Sequence, residues 1–356
     1  MIVKEGVIRV EVPEFQKVTA RNRVFYNPAM ELDRDISSLL LSLFDGTVLD
    51  GLSATGIRGI RYAKESALDP IFNDLNPEAV ILIKKNCKMN GVSGEVHNKD
   101  FNLLDLKADI VDIDPFGSPV RYLASAFRIL RPQGILCVTA TDTQALCVSK
   151  KACIRKYAAL PIRTDFFKEL GLRILISCIV REAMKQDYAL DVLLAYAHKH
   201  YMRVFLSAKK SLRKMNSNIE DMQIVYYCSC GYRKHSKEMM EQCPRCGKKL
   251  RFSLPVWVGE IKDDTLLDKL MRKEVNAKAE TILNIIKKEI HAPFYFDLHK
   301  LAKKHKFTLK KTDTVINELR ELGFRASRTH FSSTGVKTDA DISSLLPIFN
   351  IQQKGE

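Results

Sequence analysis

An acid, a proline and an aromatic ring follow one another in Asp112-Ile113-Asp114-Pro115-Phe116-Gly117-Ser118-Pro119. They end an apolar run over residues 108–113 that is broken only by acids. Such a run reads as a short buried strand, and Pro115 stops it by fixing φ and removing a ladder donor. At the C-terminal tip of a parallel strand these residues can hold a flat, amino-bearing ring. The Asp114 carboxylate and the carbonyl beside Pro115 would accept hydrogen bonds from the amino group, and Phe116 would stack on the ring. That is what methylating an exocyclic base nitrogen requires. The same residue types also make an ordinary strand-to-turn exit, so the upstream sequence decides between the two.

Upstream, Thr47-Val48-Leu49-Asp50 reads as a strand and is followed by Gly51-Leu52-Ser53-Ala54-Thr55-Gly56-Ile57-Arg58-Gly59 and a helical run over 60–66. Glycines at 51, 56 and 59 suit a tight turn, close backbone approach to a ligand and close helix–strand packing. The spacing is not GxGxxG, so no dinucleotide fingerprint is met. It suits the looser loop of methyltransferases that use S-adenosylmethionine. A second strand, 71–74, ends in Asp74, which is placed to accept hydrogen bonds from ribose hydroxyls. A third, 95–97, leads to Asp100, which could accept an adenine amino group while Phe101 covers the ring. Acids at four successive strand ends (Asp50, Asp74, Asp100 and Asp114) sit where open α/β sheets bind ligands.

Four of the nine cysteines are paired in sequence. Cys228-Ser229-Cys230-Gly231 and Cys243-Pro244-Arg245-Cys246-Gly247 form two knuckles that can bring four thiolates to a structural zinc ion. The first is one residue shorter than the usual CxxC, and His235 between them could replace Cys228 or Cys230. A Lys-rich loop of this kind has little core, so metal binding would supply its folding energy.

The glycine loop, Asn73-Asp74-Leu75-Asn76-Pro77 and the Asp-Pro-Phe-Gly tip together resemble the tRNA (guanine-26-N2)-dimethyltransferase family. The resemblance continues through Phe25-Tyr26-Asn27-Pro28, Arg34-Asp35, His200-Tyr201-Met202-Arg203-Val204 and Thr334-Gly335-Val336-Lys337-Thr338-Asp339, and so spans almost the whole chain. It implies a substrate position, guanine 26 of tRNA, that receives one or two methyl groups on N2. It also implies that Arg34 meets the methionine carboxylate, which suits a guanidinium fork. Sequence alone equally allows Arg34 to be a surface side chain paired with Glu31 or Asp35. Arg58 is read the same way, with its place in the glycine loop favouring the ligand. The expected cofactor-binding set is Arg34, Asp50, Gly51, Thr55, Gly56, Arg58, Asp74, Asp100 and Phe101; the expected catalytic set is Asp114, Pro115 and Phe116.

The elements that must position these residues give an α/β fold: a Rossmann-like class I methyltransferase domain with a zinc-ribbon insertion and a smaller α+β, winged-helix-like C-terminal domain. Expected boundaries are 1–220 for the N-terminal arm and methyltransferase domain, 221–260 for the zinc-ribbon-like element and 261–356 for a tRNA-binding domain. Residues 31–44 have the periodicity of an amphipathic helix, 121–130 of a helix, 135–140 of a strand, 172–184 of an apolar helix after a helical turn at 165–170, and 190–197 of a strand. His198-Lys199-His200-Tyr201-Met202-Arg203 would then offer basic and aromatic side chains to tRNA. Residues 266–286 and 298–305 read as helices, and Thr312-Asp313 as a cap on a helix that stops at Gly323. A basic ribbon over 324–338 follows. Lys303, Lys304, Lys306, Lys310, Lys311, Arg325 and Arg328 are expected to form a phosphate-binding face.

At 356 residues the chain can hold two domains. A formal net charge of +15 suits a polyanionic partner whose binding weakens steeply with salt. No stretch approaches the ~20 apolar residues of a membrane span. Scattered cysteines suggest a reducing compartment, and a cytoplasmic location is expected. No obligate protein partner is evident. Two rival readings remain at this point: methylation of another base, such as adenine N6, and an RNA-binding protein with a degenerate nucleotide fold.

Overall fold

The computed structural model describes residues 1–14 and 24–349. Arg21, Asn22 and Arg23 of the N-terminal arm lie outside the described residues. The chain opens with a hairpin of β1 (Ile2–Glu5) and β2 (Ile8–Glu11). Helix α1 (Glu31–Leu41) follows and buries Ile36, Leu40 and Leu41. Strands and helices then alternate: β3 (Thr47–Asp50), α2 (Ile57–Ser66), β4 (Asp69–Asn73), α3 (Pro77–Asn90), β5 (Glu95–His97), β6 (Ala108–Ile113), α4 (Val120–Ile129) and β7 (Leu130–Ala140). Next come α5 (Thr143–Cys147), α6 (Lys150–Tyr157), α7 (Phe167–Met184) and the hairpin of β8 (Ala189–His198) and β9 (Tyr201–Lys209).

These strands form one seven-stranded sheet in the order β5-β4-β3-β6-β7-β9-β8. The first five are parallel, and β9 and β8 extend the sheet antiparallel. Val48, Leu49, Val111, Ile113, Leu136 and Val138 are fully buried, as expected for parallel strands covered by helices on both faces. The order reverses between β3 and β6, the switch point beside which open α/β sheets bind ligands.

After α8 (Leu212–Glu220), strands β10 (Met222–Tyr227), β11 (Arg233–Ser236) and β12 (Arg251–Trp257) make a second sheet, β11-β10-β12. Helices α9 (Asp264–Leu270) and α10 (Ala277–Lys288) return to the main sheet. The last unit comprises β13 (Phe296–Asp297), α11 (Leu298–His305), α12 (Thr312–Glu321), β14 (Ala326–Thr329), β15 (Ser332–Thr338) and α13 (Ile342–Leu345). Its three strands pair as β13-β15-β14 around their own apolar cluster. Among the described residues no helix is long and apolar enough to cross a membrane.

Several expectations change in detail. Helix α2 starts at Ile57 because Gly56 takes φ +76° and caps it there. The separate turn and helix expected over 165–184 are one helix, α7. Gly171 lies inside it, and a Cβ there would sit 2.7 Å from Cys147 Sγ. The helix expected over 266–286 is two, because the Asn276 side chain accepts the Ala279 amide hydrogen (2.9 Å) and starts a new one. Thr312 does not cap α12 but is its first residue, and Lys311 at the cap position makes no side-chain cap bond. The expected start of the C-terminal domain at 261 also differs from the packing. Leu267, Leu270, Leu283 and Ile286 join Ile36, Leu40 and Val48 in the core under the main sheet, and the separate C-terminal cluster begins at Phe296.

Candidate active site

At the C-terminal edge of the parallel strands a cavity of about 380 Å³ opens, within the usual range for a small-molecule site. One wall is the glycine loop, including Asp50, Leu52, Ser53, Ala54, Thr55 and Arg58; the facing wall is Asp114, Pro115, Phe116 and Gly117. Asp50 lies on β3 directly beside Asp112 on β6. Its Oδ2 accepts the Gly59 amide hydrogen at 3.0 Å. Burial, together with the neighbouring Asp112, raises its carboxyl to about 7 against the partial relief of Arg58. Gly59 packs so closely on β4 that a Cβ would lie 2.5 Å from Phe72 Cε1. Thr55 Oγ1 is buried and has no hydrogen-bond partner among the described residues, which leaves a donor and acceptor beside the cavity.

The Asp-Pro-Phe-Gly tip is braced from the next strand. Gly117 N donates to Thr141 Oγ1 at 2.7 Å, and Thr141 N donates back to Gly117 O at 3.0 Å. Phe116 is 61% exposed at the cavity mouth, a large apolar ring left without cover. Phe25 meets it edge-on at 5.6 Å between centroids. Asp114 Oδ2 is held by Arg58, and among the described residues the other carboxylate oxygen has no hydrogen-bond partner, so it is available to a ligand.

Behind this wall lies an ionic lattice that sequence reading did not find. Arg203 grips both oxygens of Asp112 with its two terminal nitrogens, each at 2.7 Å. Tyr62 donates to the same carboxylate. Arg58 reaches Asp33 Oδ2 at 2.8 Å, and Tyr196 donates to Asp33 Oδ1 at 2.8 Å. Burial alone would raise the Asp112 carboxyl, but Arg203 and Arg58 bring it below the ordinary carboxylate range. The available signal was Asp112 itself, an acid inside an apolar strand run, which needs a buried cation. Arg203 was expected to face RNA; it is instead fully buried, and Tyr201 and Met202 beside it are also buried. Lys199, His200 and Tyr201 do border the cavity.

Other expected ligands have protein partners of their own. Arg34 borders the cavity but is neither a surface residue nor paired with Glu31 or Asp35. It is buried against Glu5, with Nε to Oε1 at 2.5 Å and a terminal nitrogen to Oε2 at 2.6 Å. Asp74 spends one oxygen on the Ala54 amide and the other on the Asn76 amide, each at 2.8 Å, and so shapes the glycine loop. Asp100 caps the turn 101–103 through Asn102 N at 2.9 Å. Phe101 is buried beneath the loop: a Cβ on Gly51 would lie 2.5 Å from its ring. Asp74, Asp100 and Phe101 do not line the cavity.

The four expected cysteines converge. Their sulfurs all lie within 4.8 Å of one another, with Cys228–Cys246 at 3.5 Å and Cys230–Cys243 at 3.6 Å. Tetrahedral zinc–thiolate bonds of about 2.3 Å set sulfurs about 3.8 Å apart, so the arrangement fits such an ion. His235 is not part of it; on β11 its Nδ1 meets Gln223 Oε1 at 2.9 Å.

The model of the N2,N2-dimethylguanosine tRNA methyltransferase family matches residues 6–350. The chain is 42% identical to the tRNA (guanine(26)-N(2))-dimethyltransferase of Archaeoglobus fulgidus, covering 96% of each protein. It is 39% identical to that of Thermococcus kodakarensis, over 95% of this chain and 96% of that one. The solved complex of Trm1 from Pyrococcus horikoshii with S-adenosyl-L-methionine matches with a TM-score of 0.89 at 34% identity, covering 98% of this chain and 99% of that one. With the glycine loop and the Asp-Pro-Phe-Gly tip facing each other across one cavity, the chain belongs to the N2,N2-dimethylguanosine tRNA methyltransferase family.

Proposed function

We propose that this protein transfers one or two methyl groups from S-adenosylmethionine to the exocyclic N2 of guanine 26 in tRNA. The observation that carries this reading is the cavity in which the glycine loop and Asp114-Pro115-Phe116-Gly117 face one another. Bound S-adenosylmethionine supplies a sulfonium-activated methyl group. Asp50, Thr55 and Arg58 border the space it would fill, and the unpartnered Thr55 Oγ1 fits a polar ligand there. Arg34 shares that border, with Glu5 setting its fork. Gly51 and Gly56 shape the loop; Asp74 would meet the ribose hydroxyls, and Asp100 and Phe101 the adenine, while Asp74 also holds the Ala54 amide of that loop.

The guanine N2 lone pair is delocalised into the ring, so alignment and exclusion of water matter most. The free oxygen of Asp114 and the carbonyl beside Pro115 accept the two N2 hydrogens and draw the nitrogen towards tetrahedral geometry. Phe116 stacks the base, with Phe25 against its edge. When N2 gains a methyl it must lose a proton, for which the Asp114 carboxylate is the adjacent acceptor. A guanine inside a folded tRNA reaches this cavity by flipping out, its unstacking offset by phosphate contacts of the C-terminal helices and ribbon. That winged-helix-like unit is the tRNA-binding domain in this reading.

Transfer of labelled methyl to unmodified tRNA transcripts tests the assignment. Label should appear as N2-methylated guanosine and vanish when guanine 26 is replaced; persistence would refute the position. Asp114→Ala should cut turnover by about 10²–10⁴-fold with tRNA binding intact. Cys228, Cys230, Cys243 and Cys246 would hold a structural zinc ion with every position filled. Chelation, or Cys243→Ser, should then remove one zinc per chain by metal analysis and expose residues 228–246 to proteolysis. An unchanged digest would remove zinc from the account.

A further inference from the structure

Cations left without anions mark a second place on the molecule. Of the seven cations expected to form a phosphate face, three are already matched to acids: Lys310 to Glu318 (2.8 Å), Arg325 to Asp339 (2.9 Å) and Arg328 to Asp313 (2.7 Å). Lys304, one of the other four, joins three further cations where the three parts of the chain meet. A hollow of about 260 Å³ is lined by Arg163, Arg251, Lys300 and Lys304 around Tyr227. Arg163 precedes α7 in the methyltransferase domain, Arg251 starts β12 beside the cysteine cluster, and Lys300 and Lys304 lie one turn apart on α11. All four are exposed.

Asp165 is the one acid among the residues lining this hollow, and it is already engaged. Arg233, which stands outside the lining, holds both of its oxygens at 3.0 and 2.8 Å. Lys300 keeps a loose approach to Asp297 at 4.0 Å. Arg163, Arg251 and Lys304 have no carboxylate within ion-pair distance among the described residues; Arg251 lies only over the Tyr227 ring, 5.2 Å from its centroid. Thr164, whose Oγ1 has no hydrogen-bond partner among the described residues, also lines the hollow. Like charges held together without counter-charge are costly, and an anion with several acceptor oxygens removes that cost.

We propose that this seam is a seat for a phosphate of the RNA backbone, one that fixes how the tRNA lies across the three parts of the protein. The inference rests on the tRNA reading above. Lys156, on the helix before Arg163, holds Asp142 at the cavity wall (2.8 Å). Arg163 stands seven positions after Lys156, so their Cα atoms lie at most about 25 Å apart. A single bound tRNA can span that interval.

The test uses the full-length protein and measures tRNA affinity across a salt series, together with methyl-transfer kinetics. Arg163→Gln with Arg251→Gln should raise Kd and KM for tRNA on the order of tenfold and lower the log Kd–log salt slope by about 1, the loss of one phosphate contact. The turnover at saturating tRNA, S-adenosylmethionine binding and Tm should stay unchanged. Arg251→Lys, which keeps the charge and loses the planar stack, should keep the slope; a packing role would not. The pair Lys310→Gln with Arg328→Gln, already matched to acids, should change the slope less. An unchanged slope in the Arg163/Arg251 double variant overturns the seat. Wild-type protein that neither binds nor methylates tRNA overturns the parent reading instead. Inorganic phosphate at fixed ionic strength separates the sources: if it raises Tm only in wild type while both proteins bind tRNA equally, the seat holds free phosphate and the proposal falls.

Discussion

Two sets of ion pairs in this protein have nearly the same lengths and opposite surroundings. Beneath the cavity, Arg203 meets Asp112 at 2.7 Å with both side chains 0% exposed, and Arg58 meets Asp33 at 2.8 Å with 5% and 0%. On the C-terminal ribbon, Arg328 meets Asp313 at 2.7 Å and Arg325 meets Asp339 at 2.9 Å, but those side chains are 37–70% exposed. Distance therefore ranks nothing here; the medium between the charges does. In the low-dielectric interior each charge depends on its partners, because any one left alone keeps its desolvation cost. On the ribbon water replaces a lost partner. The buried set can hold Asp114 in one orientation through Arg58, whereas the exposed set can exchange its acids for a ligand's phosphates.

The largest effect expected from this contrast follows Arg203→Leu. Asp112 would lose its fork while still desolvated, and removing one member of a buried pair costs about 3–5 kcal/mol. Denaturant unfolding should show that loss. Methyl transfer should fall with it, since Arg58 would be drawn from Asp114 towards the orphaned Asp112, 3.6 Å away. A loss under about 1 kcal/mol, the range of exposed pairs, would erase the distinction between the two regions.

How far the sequence told this story depends on which contacts are local. The strand–helix alternation was legible because strands buried on both faces read as apolar runs, and Asp50 and Asp114 because each ends such a run. The pairing of Asp112 with Arg203 joins residues 91 apart, and that of Arg34 with Glu5 joins residues 29 apart. No periodicity reports such contacts. The place of Phe101 under Gly51 was not legible, because it depends on how the glycine loop folds over that ring. His235 had the right spacing for a ligand, but pairing of β11 with β10 puts it beside Gln223. The cap signal at Asn276 lies inside an apolar pattern that runs on across it, so the period alone does not show the break.

A smaller effect should appear with pH at Asp50, where burial acts on a charge that lacks a full partner. Its carboxyl is raised to about 7 in the folded state, from 3.8. The folded protein thus keeps a proton that the unfolded chain releases, and this group's contribution to stability falls as pH rises from about 4 to 7. Affinity for the cationic methyl donor should run the other way, because ionised Asp50 is the form that attracts it. Calorimetric titration with S-adenosylmethionine should show binding weakening up to about tenfold per unit as pH drops below 7. Asp50→Asn should flatten the profile. A wild-type profile flat from pH 6 to 8 would mean that Asp50 already ionises without the ligand.

The smallest effect is expected on the ribbon, and it tests the comparison from its other end. Arg325→Ala and Arg328→Ala each remove an ion pair as short as those beneath the cavity. Water solvates Asp339 and Asp313 in their place, so each change should cost less than about 1 kcal/mol. Their lowered carboxyl pKa values, owed to Arg325 and Arg328 respectively, should relax towards the ordinary range, visible by carboxylate NMR titration. Raising the salt concentration should shrink even this cost, because exposed charges are screened within about 10 Å at 0.1 M. The cost of Arg203→Leu should persist, since ions do not enter the core. A salt-insensitive loss above 2 kcal/mol at Arg328 would place the ribbon with the buried lattice and remove the reason for treating its cations as open to exchange.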